Sequence, residues 1–206
     1  MIISYQGVQS FKVQFGDTVL AFDPVSKKSK FKANNFGADI ALISLNHPDM
    51  NGVDQVNRGE KKAFIIDGPG EYETKNVFIK GLLSSSNYEG EEHINTIYTV
   101  NFENMNLCFL GALGSTDIPS ATKAGIDGVD ILFVPIGGNG VLSASDAYKF
   151  AVSLESSIII PMQFDEKSLK TFLKERGEEV KPIDKLTIKK KDLEGKKGEI
   201  IVLEAQ

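Results

Sequence analysis

The residues best suited to chemistry lie in one short stretch, Asp39 to Asp54, reading DIALISLNHPDMNGVD. An apolar strand, Ile40 to Ile43, breaks there into Ser44-Leu45-Asn46-His47-Pro48-Asp49-Met50, which leads into a helix start near Asn51. An imidazole and a carboxylate two residues apart, delivered into a turn at a strand end, can ligate a divalent ion or move a proton. The chain has two histidines in all, and His47 is one of them. It reads either as a hydrogen-bonded group beside a turn or as a functional group in a pocket. Asp49 precedes a helix start, so an N-terminal cap is as good a reading as chemistry.

Other candidates carry bland readings beside the chemical ones. Glu71 and Glu73 flank Tyr72 after Gly68-Pro69-Gly70. They could share acid–base work, or simply belong to a turn. Gly137, Gly138 and Gly140 follow an apolar run and precede a helix. Such a loop can cradle an anion on its N–H groups, though it matches no nucleotide-binding spacing and a need for positive φ explains it equally. His93, in Glu89-Gly90-Glu91-Glu92-His93, reads as solvated, and Ser84-Ser85-Ser86 reads as loop. The lysines at 185, 189, 190, 191, 196 and 197 are interspersed with Asp184, Asp192 and Glu194, the pattern of a solvated strand pair. No Ser, Cys or Thr stands out as a nucleophile. Cys108, the single cysteine, lies in the apolar run Leu107-Cys108-Phe109-Leu110 and reads as core.

The elements that must position these residues are legible from periodicity. Ile2 to Tyr5 is a short strand. Ser10 to Phe15 alternates, Gly16-Asp17 turns, and Val19 to Phe22 returns, a hairpin. Ala63 to Ile66 reads as a buried strand, Asp67 to Glu73 as a turn, Val77 to Leu82 as a strand, and Leu83 to Glu92 as a polar loop. Thr96 to Val100 and Leu107 to Leu110 form a hairpin, and Pro119 to Ala124 fits a short helix. Ile131 to Ile136 is a central strand. Ser143 caps a helix whose stripe is Ala147, Phe150, Ala151 and Leu154. Ser157 to Pro161 is a buried strand, Leu169, Phe172 and Leu173 mark a helix ended by Gly177, and Leu186 to Lys190 with Glu199 to Leu203 make a terminal β pair. This order predicts an α/β (α+β) fold, a mixed sheet pair flanked by helices. At 206 residues the chain is expected to be a single domain, 1–206. A formal charge of −5 argues against nucleic acid or an anionic membrane surface as partner. No run is long enough to span a membrane, and one cysteine with no evident signal peptide suits a reducing cytoplasm.

The stretch at 44–50 resembles the hallmark segment of the metallo-β-lactamase superfamily, Thr-His-x-His-x-Asp-His. Ser44 takes the Thr place, His47 the second His and Asp49 the Asp, while Leu45 and Met50 stand where the other two histidines would be. Five further marks in the same order are similar to the ascorbate-phosphate-lactonase-like branch of small metal-dependent hydrolases. They are Gly7-Val8-Gln9-Ser10-Phe11 for Gly-His-Ala-Ser-Phe, Asp23-Pro24, Asn95-Thr96, Phe109 to Gly114 for Leu-Gly-Asp-Leu-Gly, and Ile159 to Phe164 for Ile-Pro-Met-His-Tyr. The resemblance implies a four-layer αββα sandwich with the site at the sheet edges. It also implies losses. Val8, Ala112 and Gln163 occupy ligand places, and the mid-chain His expected near Ser84 to Ser86 is absent.

Zinc wants three or four N, S or O ligands, and only His47 and Asp49 remain of the implied set. The expectation is therefore a degenerate, hydrolase-like pseudoenzyme of this fold, with no metal cofactor, that binds a small molecule or a protein partner. The alternative is a lactonase- or phosphoester-type hydrolase with a reduced site. His47 and Asp49 would then hold zinc or manganese or act as acid–base groups, and Asn46, Glu71, Ser84, Ala112 and Gln163 are the pocket candidates. A third expectation is an assembly subunit, with self-association into a homo-oligomer.

Overall fold

The alternating N-terminal segments fold as the hairpin logic requires, and the rest of the chain builds outward from them. The computed structural model describes residues 1–177 and 179–206. Its strands are β1 (Ile2–Gly7), β2 (Ser10–Phe15), β3 (Thr18–Phe22), β4 (Ile40–Leu42), β5 (Phe64–Ile66), β6 (Gly70–Thr74), β7 (Val77–Ser86), β8 (His93–Phe102), β9 (Met105–Phe109), β10 (Ile131–Pro135), β11 (Ile158–Met162), β12 (Leu186–Thr187) and β13 (Glu199–Ile200). The helices are α1 (Ser120–Ala124), α2 (Ala144–Ser153) and α3 (Glu166–Arg176). One sheet runs β12-β1-β2-β3-β4-β5 and the other β13-β11-β10-β9-β8-β7-β6. Strands β3, β4 and β5 run parallel, as do β9, β10, β11 and β13.

The two sheets face each other across an aromatic core. Phe11 and Phe22 of the first sheet meet Phe109 and Phe133 of the second, with ring centroids 4.8–6.4 Å apart. All four are fully buried. Such pairs add about 0.5–1.5 kcal/mol each beyond their area burial. A second apolar layer joins the outer face of β10 and β11 to Ala147, Phe150 and Ala151 of α2 and Phe172 of α3. Ser143 caps α2 by accepting from the Asp146 N–H, and Gly177 ends α3 in the left-handed region at φ 75°. The αββα arrangement is thus present, with one layer thin. Over the first sheet, Val19, Ala21 and Ala41 are covered by Phe36, Ala38 and a 3₁₀ turn, Val53–Val56, in place of a long helix. No helix among the described residues is long and apolar enough to cross a membrane.

Four segments depart from the sequence reading. Asp67 to Glu73 is not all turn, because Gly70–Thr74 forms β6. The reversal lies later, at Lys75-Asn76, where φ values of 53° and 58° give the two-residue turn whose twist suits a hairpin. Leu83 to Ser86 is not loop but the end of β7. Its serines are tolerated because their hydroxyls are paired, Ser84 Oγ donating to the Asn95 carbonyl at 3.0 Å and Ser86 Oγ accepting from the Tyr88 N–H at 3.2 Å. The strand at Ala63 to Ile66 is only partly buried, since it is a sheet edge that leaves Phe64 49% and Ile65 47% exposed. The two C-terminal strands do not pair with each other. β12 adds to β1 and β13 to β11, so each short apolar segment covers an open edge of a different sheet.

Candidate functional site

A buried polar hub holds the strand ends on which the site stands. Asp23, at the end of β3, has φ 41° and is fully buried. Its Oδ1 accepts from the Ser44 N–H at 2.7 Å and its Oδ2 shares a hydrogen bond with Ser44 Oγ at 2.5 Å. Burial pushes the Asp23 carboxyl up to about 8, against the opposing pull of the Ser44 hydrogen bonds. The Ser44 carbonyl in turn receives the Thr96 N–H at 2.8 Å, joining the two sheets. Next to it Asn95 donates to Ser84 Oγ (2.8 Å) and the Leu110 carbonyl (3.0 Å) and accepts from the Ala112 N–H (2.8 Å). Gly111 must be glycine here: its φ is 59°, and a Cβ would strike Ser44.

From this floor the chain rises to His47 and Asp49. The His47 Nδ1 accepts from the Asp49 N–H at 3.2 Å and lies 3.6 Å from Asp49 Oδ2. On the ring's other side Nε2 is 3.4 Å from Glu89 Oε2. The imidazole therefore stands between two carboxylates. Asp49 is 2% exposed, and both its oxygens are already served: Oδ1 by Ser29 Oγ and Oδ2 by Tyr88 Oη at 2.8 Å. Burial, and then the bond to Asp49, push the Tyr88 phenol well above its ordinary range. Glu89 Oε1 binds Lys30 Nζ at 2.5 Å, a hydrogen bond that pulls the Glu89 carboxyl below its usual value. The His47 ring stands edge-on to Tyr88 at 5.1 Å and to His93 at 6.5 Å.

His47, Asp49 and Glu89 offer ligand atoms that lie within 4.8 Å of one another, a candidate cation seat. A two-metal centre of the kind implied by the resemblance does not fit these residues. Leu45, Met50 and Ala112 pack with Tyr88 and Val141 into one buried apolar cluster, and none of the first three can supply the lost imidazole or carboxylate. The donors that remain are each bonded to a protein group. An ion on one imidazole nitrogen would share Glu89 with Lys30, or Asp49 with Tyr88 and Ser29.

The sequence candidates scatter around this centre. His47 and Asp49 stand side by side. Asn46 is exposed and accepts from Asn51 Nδ2 at 2.8 Å. Ser84 and Ala112 belong to the floor. Gln163, at φ 50°, pairs its amide with Gln9. It lines a cleft of about 520 Å³ beside the triad, together with Tyr5, Lys30, Tyr88, Glu89 and Phe164. Glu71 is a correction: it projects from edge strand β6, pairs with Lys80 at 3.1 Å and opens on a separate groove. Alternation of β6 sends its side chain outward. His93 is likewise not fully solvated but half-buried at the start of β8 beside His47. Sequence reasoning missed Ser29, Lys30, Tyr88 and Glu89. The one local signal was Asn87-Tyr88-Glu89-Gly90 after a strand, a turn composition that gives no hint of its distant partners.

Residues 2–163 match the family model described as the β-lactamase superfamily domain. A UPF0173 metal-dependent hydrolase of Bacillus cereus (strain AH187) is 24% identical over 197 residues, covering 80% of this chain and 86% of the relative. A solved member of the metallo-β-lactamase superfamily from Thermotoga maritima is 25% identical, with a TM-score of 0.81 and coverage of 100% of this chain and 99% of that one. Igni18, a metallo hydrolase from the archaeon Ignicoccus hospitalis, shares the fold at 12% identity, with a TM-score of 0.62, 91% of this chain and 99% of its own. Two facing sheets, a site at their strand ends, and a family match across most of the chain agree: this protein belongs to the metallo-β-lactamase superfamily.

Proposed function

We propose that this chain is a binding member of its superfamily, one that takes a small ligand in the cleft beside His47 without metal-hydroxide hydrolysis. The observation that carries this reading is the buried cluster of Leu45, Met50, Ala112, Tyr88 and Val141, which fills the strand-end interior with apolar groups. A metal-bound water reaches a pKa near 7 only when an ion is held with an open position. The ligand's walls would be Tyr5, Phe31, Tyr88 and Phe164, with polar contacts from Gln163 and the Lys30–Glu89 pair. A mixture of aromatic walls and few polar groups is what small-molecule clefts use.

The test is metal analysis of purified protein, with a lactone and phosphodiester panel run beside it. The expected result is far less than one zinc or manganese per chain and no turnover above background. Stoichiometric metal with turnover abolished in His47→Ala overturns the reading. A second reading has its own support: the His47, Asp49 and Glu89 donors cluster, and the Bacillus relatives are named metal-dependent hydrolases. On it, a single-ion site acts on a phosphorylated or cyclic ester, with His47 and Asp49 as ligands or acid–base groups. Self-association and a cytoplasmic setting belong to the proposal as well, and light scattering tests the first.

A further inference from the structure

We infer that Lys30 is a tethered cation standing where a metal ion would neutralise the rim carboxylates, and that removing its ammonium opens a seat for one divalent transition ion. The inference rests on the reading that the rim holds no ion in the unaltered protein. The Lys30 ammonium sits 2.5 Å from Glu89 Oε1, while the other oxygen of the same carboxylate faces His47 Nε2 at 3.4 Å. One carboxylate thus divides itself between an organic cation and an imidazole. With Asp49, these groups converge within 4.8 Å. Asp49 faces Nδ1 and Glu89 faces Nε2, so one ion would take Nε2 with both Glu89 oxygens, a donor set that suits zinc, cobalt or manganese.

Two features fix the geometry of this corner. Glu89 is held in the left-handed region at φ 53°, ψ 21° inside its 3₁₀ turn, a conformation costly for a non-glycine residue. The turn presents its carboxylate to His47 and Lys30 together. Its base is fixed by the Tyr88 phenol on buried Asp49 and by the Gly90 N–H to Asn87 carbonyl bond at 2.9 Å. Lys30 comes from the polar loop between β3 and β4, whose Ser29 also binds Asp49. The loop therefore places a hydroxyl on one carboxylate and an ammonium on the other. An ion taking both Glu89 oxygens would need to displace the ammonium.

The composition is not that of the superfamily pattern. Glu89 and Lys30 lie outside all its ligand places, and His47 and Asp49 alone come from the motif. The apolar cluster behind them closes off the inner positions, so any ion here is single and sits at the rim.

The test is Co²⁺ binding by equilibrium dialysis, with the visible absorbance of bound cobalt as a second readout. The proteins are the unaltered chain, Lys30→Met, Lys27→Met and Lys30→Met/Glu89→Gln. Lys30 is exposed, and exposed ion pairs are modest in worth, so Lys30→Met should bind one Co²⁺ about three- to tenfold more tightly than the unaltered chain. Lys27→Met makes the same charge change from the same loop and should gain nothing. Adding Glu89→Gln should return affinity to the starting level or below. No gain in Lys30→Met, an equal gain in Lys27→Met, or a gain that survives Glu89→Gln overturns the inference. Hydrolysis by the unaltered chain would overturn the binding reading instead, however the Lys30 variants behave.

Discussion

At the scale of single residues, the site is a set of mutual obligations rather than a row of ligands. Asp49 is buried with both oxygens bonded, so the protein depends on Tyr88 to keep it satisfied. Tyr88→Phe removes one donor and leaves a buried carboxylate oxygen short. The expected cost is about 1–3 kcal/mol of unfolding free energy, read from urea denaturation midpoints. Ala112→Asp asks the opposite question. It restores a carboxylate at the bridging place of the motif, within an interior lined by Leu45, Met50 and Val141. An unpaired charge there should cost about 3 kcal/mol or more, measured by the same method. A variant that keeps its stability and gains tight zinc would mean that the interior is a working metal pocket. His47 and Asp49 were legible in the sequence because two residues at a strand end form a local pattern. Lys30 and Glu89 were not, because 59 positions separate them and nothing local marks either as a partner.

At the scale of elements, the junction of β3 with β4 carries the site, and Asp23 is its splice. Its carboxyl is raised from the ordinary aspartate value to about 8 by burial. A raised folded-state pKa means that the folded protein keeps a proton which the unfolded chain has released. Stability from this group is complete below about pH 4 and falls as pH rises through about 8. Asp23→Asn keeps an acceptor for the Ser44 N–H and a donor toward Ser44 Oγ, but cannot ionise. Thermal unfolding from pH 4 to pH 8 should decline in the unaltered protein and be flatter in the variant. A parallel decline in both would place the titration elsewhere. Asp39, at the start of β4, cannot confuse the result. Burial lifts its carboxyl, but hydrogen bonds from Lys61, Lys75 and the Val19 N–H outweigh this and hold it well below the usual range. Its contribution is constant above pH 4 and is lost only in stronger acid. Ser143→Ala is a simpler check on an element: loss of the α2 cap should cost about 1 kcal/mol.

At the scale of the whole molecule, the long-range pattern was readable where it is periodic and unreadable where partners compete. The β2–β3 hairpin, the buried β10 and β11 runs and the stripe of α2 each follow from local alternation or helical spacing. The fate of β12 and β13 does not, because two short apolar segments can satisfy each other or two separate sheet edges, and only the closed sandwich selects the edges. That sandwich also decides how much the molecule needs an ion. Its core is two sheets joined by Phe11, Phe22, Phe109 and Phe133, and its strand ends are tied by Asp23, Ser44 and Asn95. A ligand stabilises a fold by the logarithm of its concentration over its dissociation constant. An ion held at nanomolar strength would add several kcal/mol at 0.1 mM, or well over 5 °C for a chain of this size. The hub and core predict a shift under about 1 °C when zinc or manganese at 0.1 mM, or a chelator, is added to the unaltered protein. A chelator that lowers the midpoint by several degrees would show that an ion holds the strand ends together in place of the Asp23–Ser44 splice.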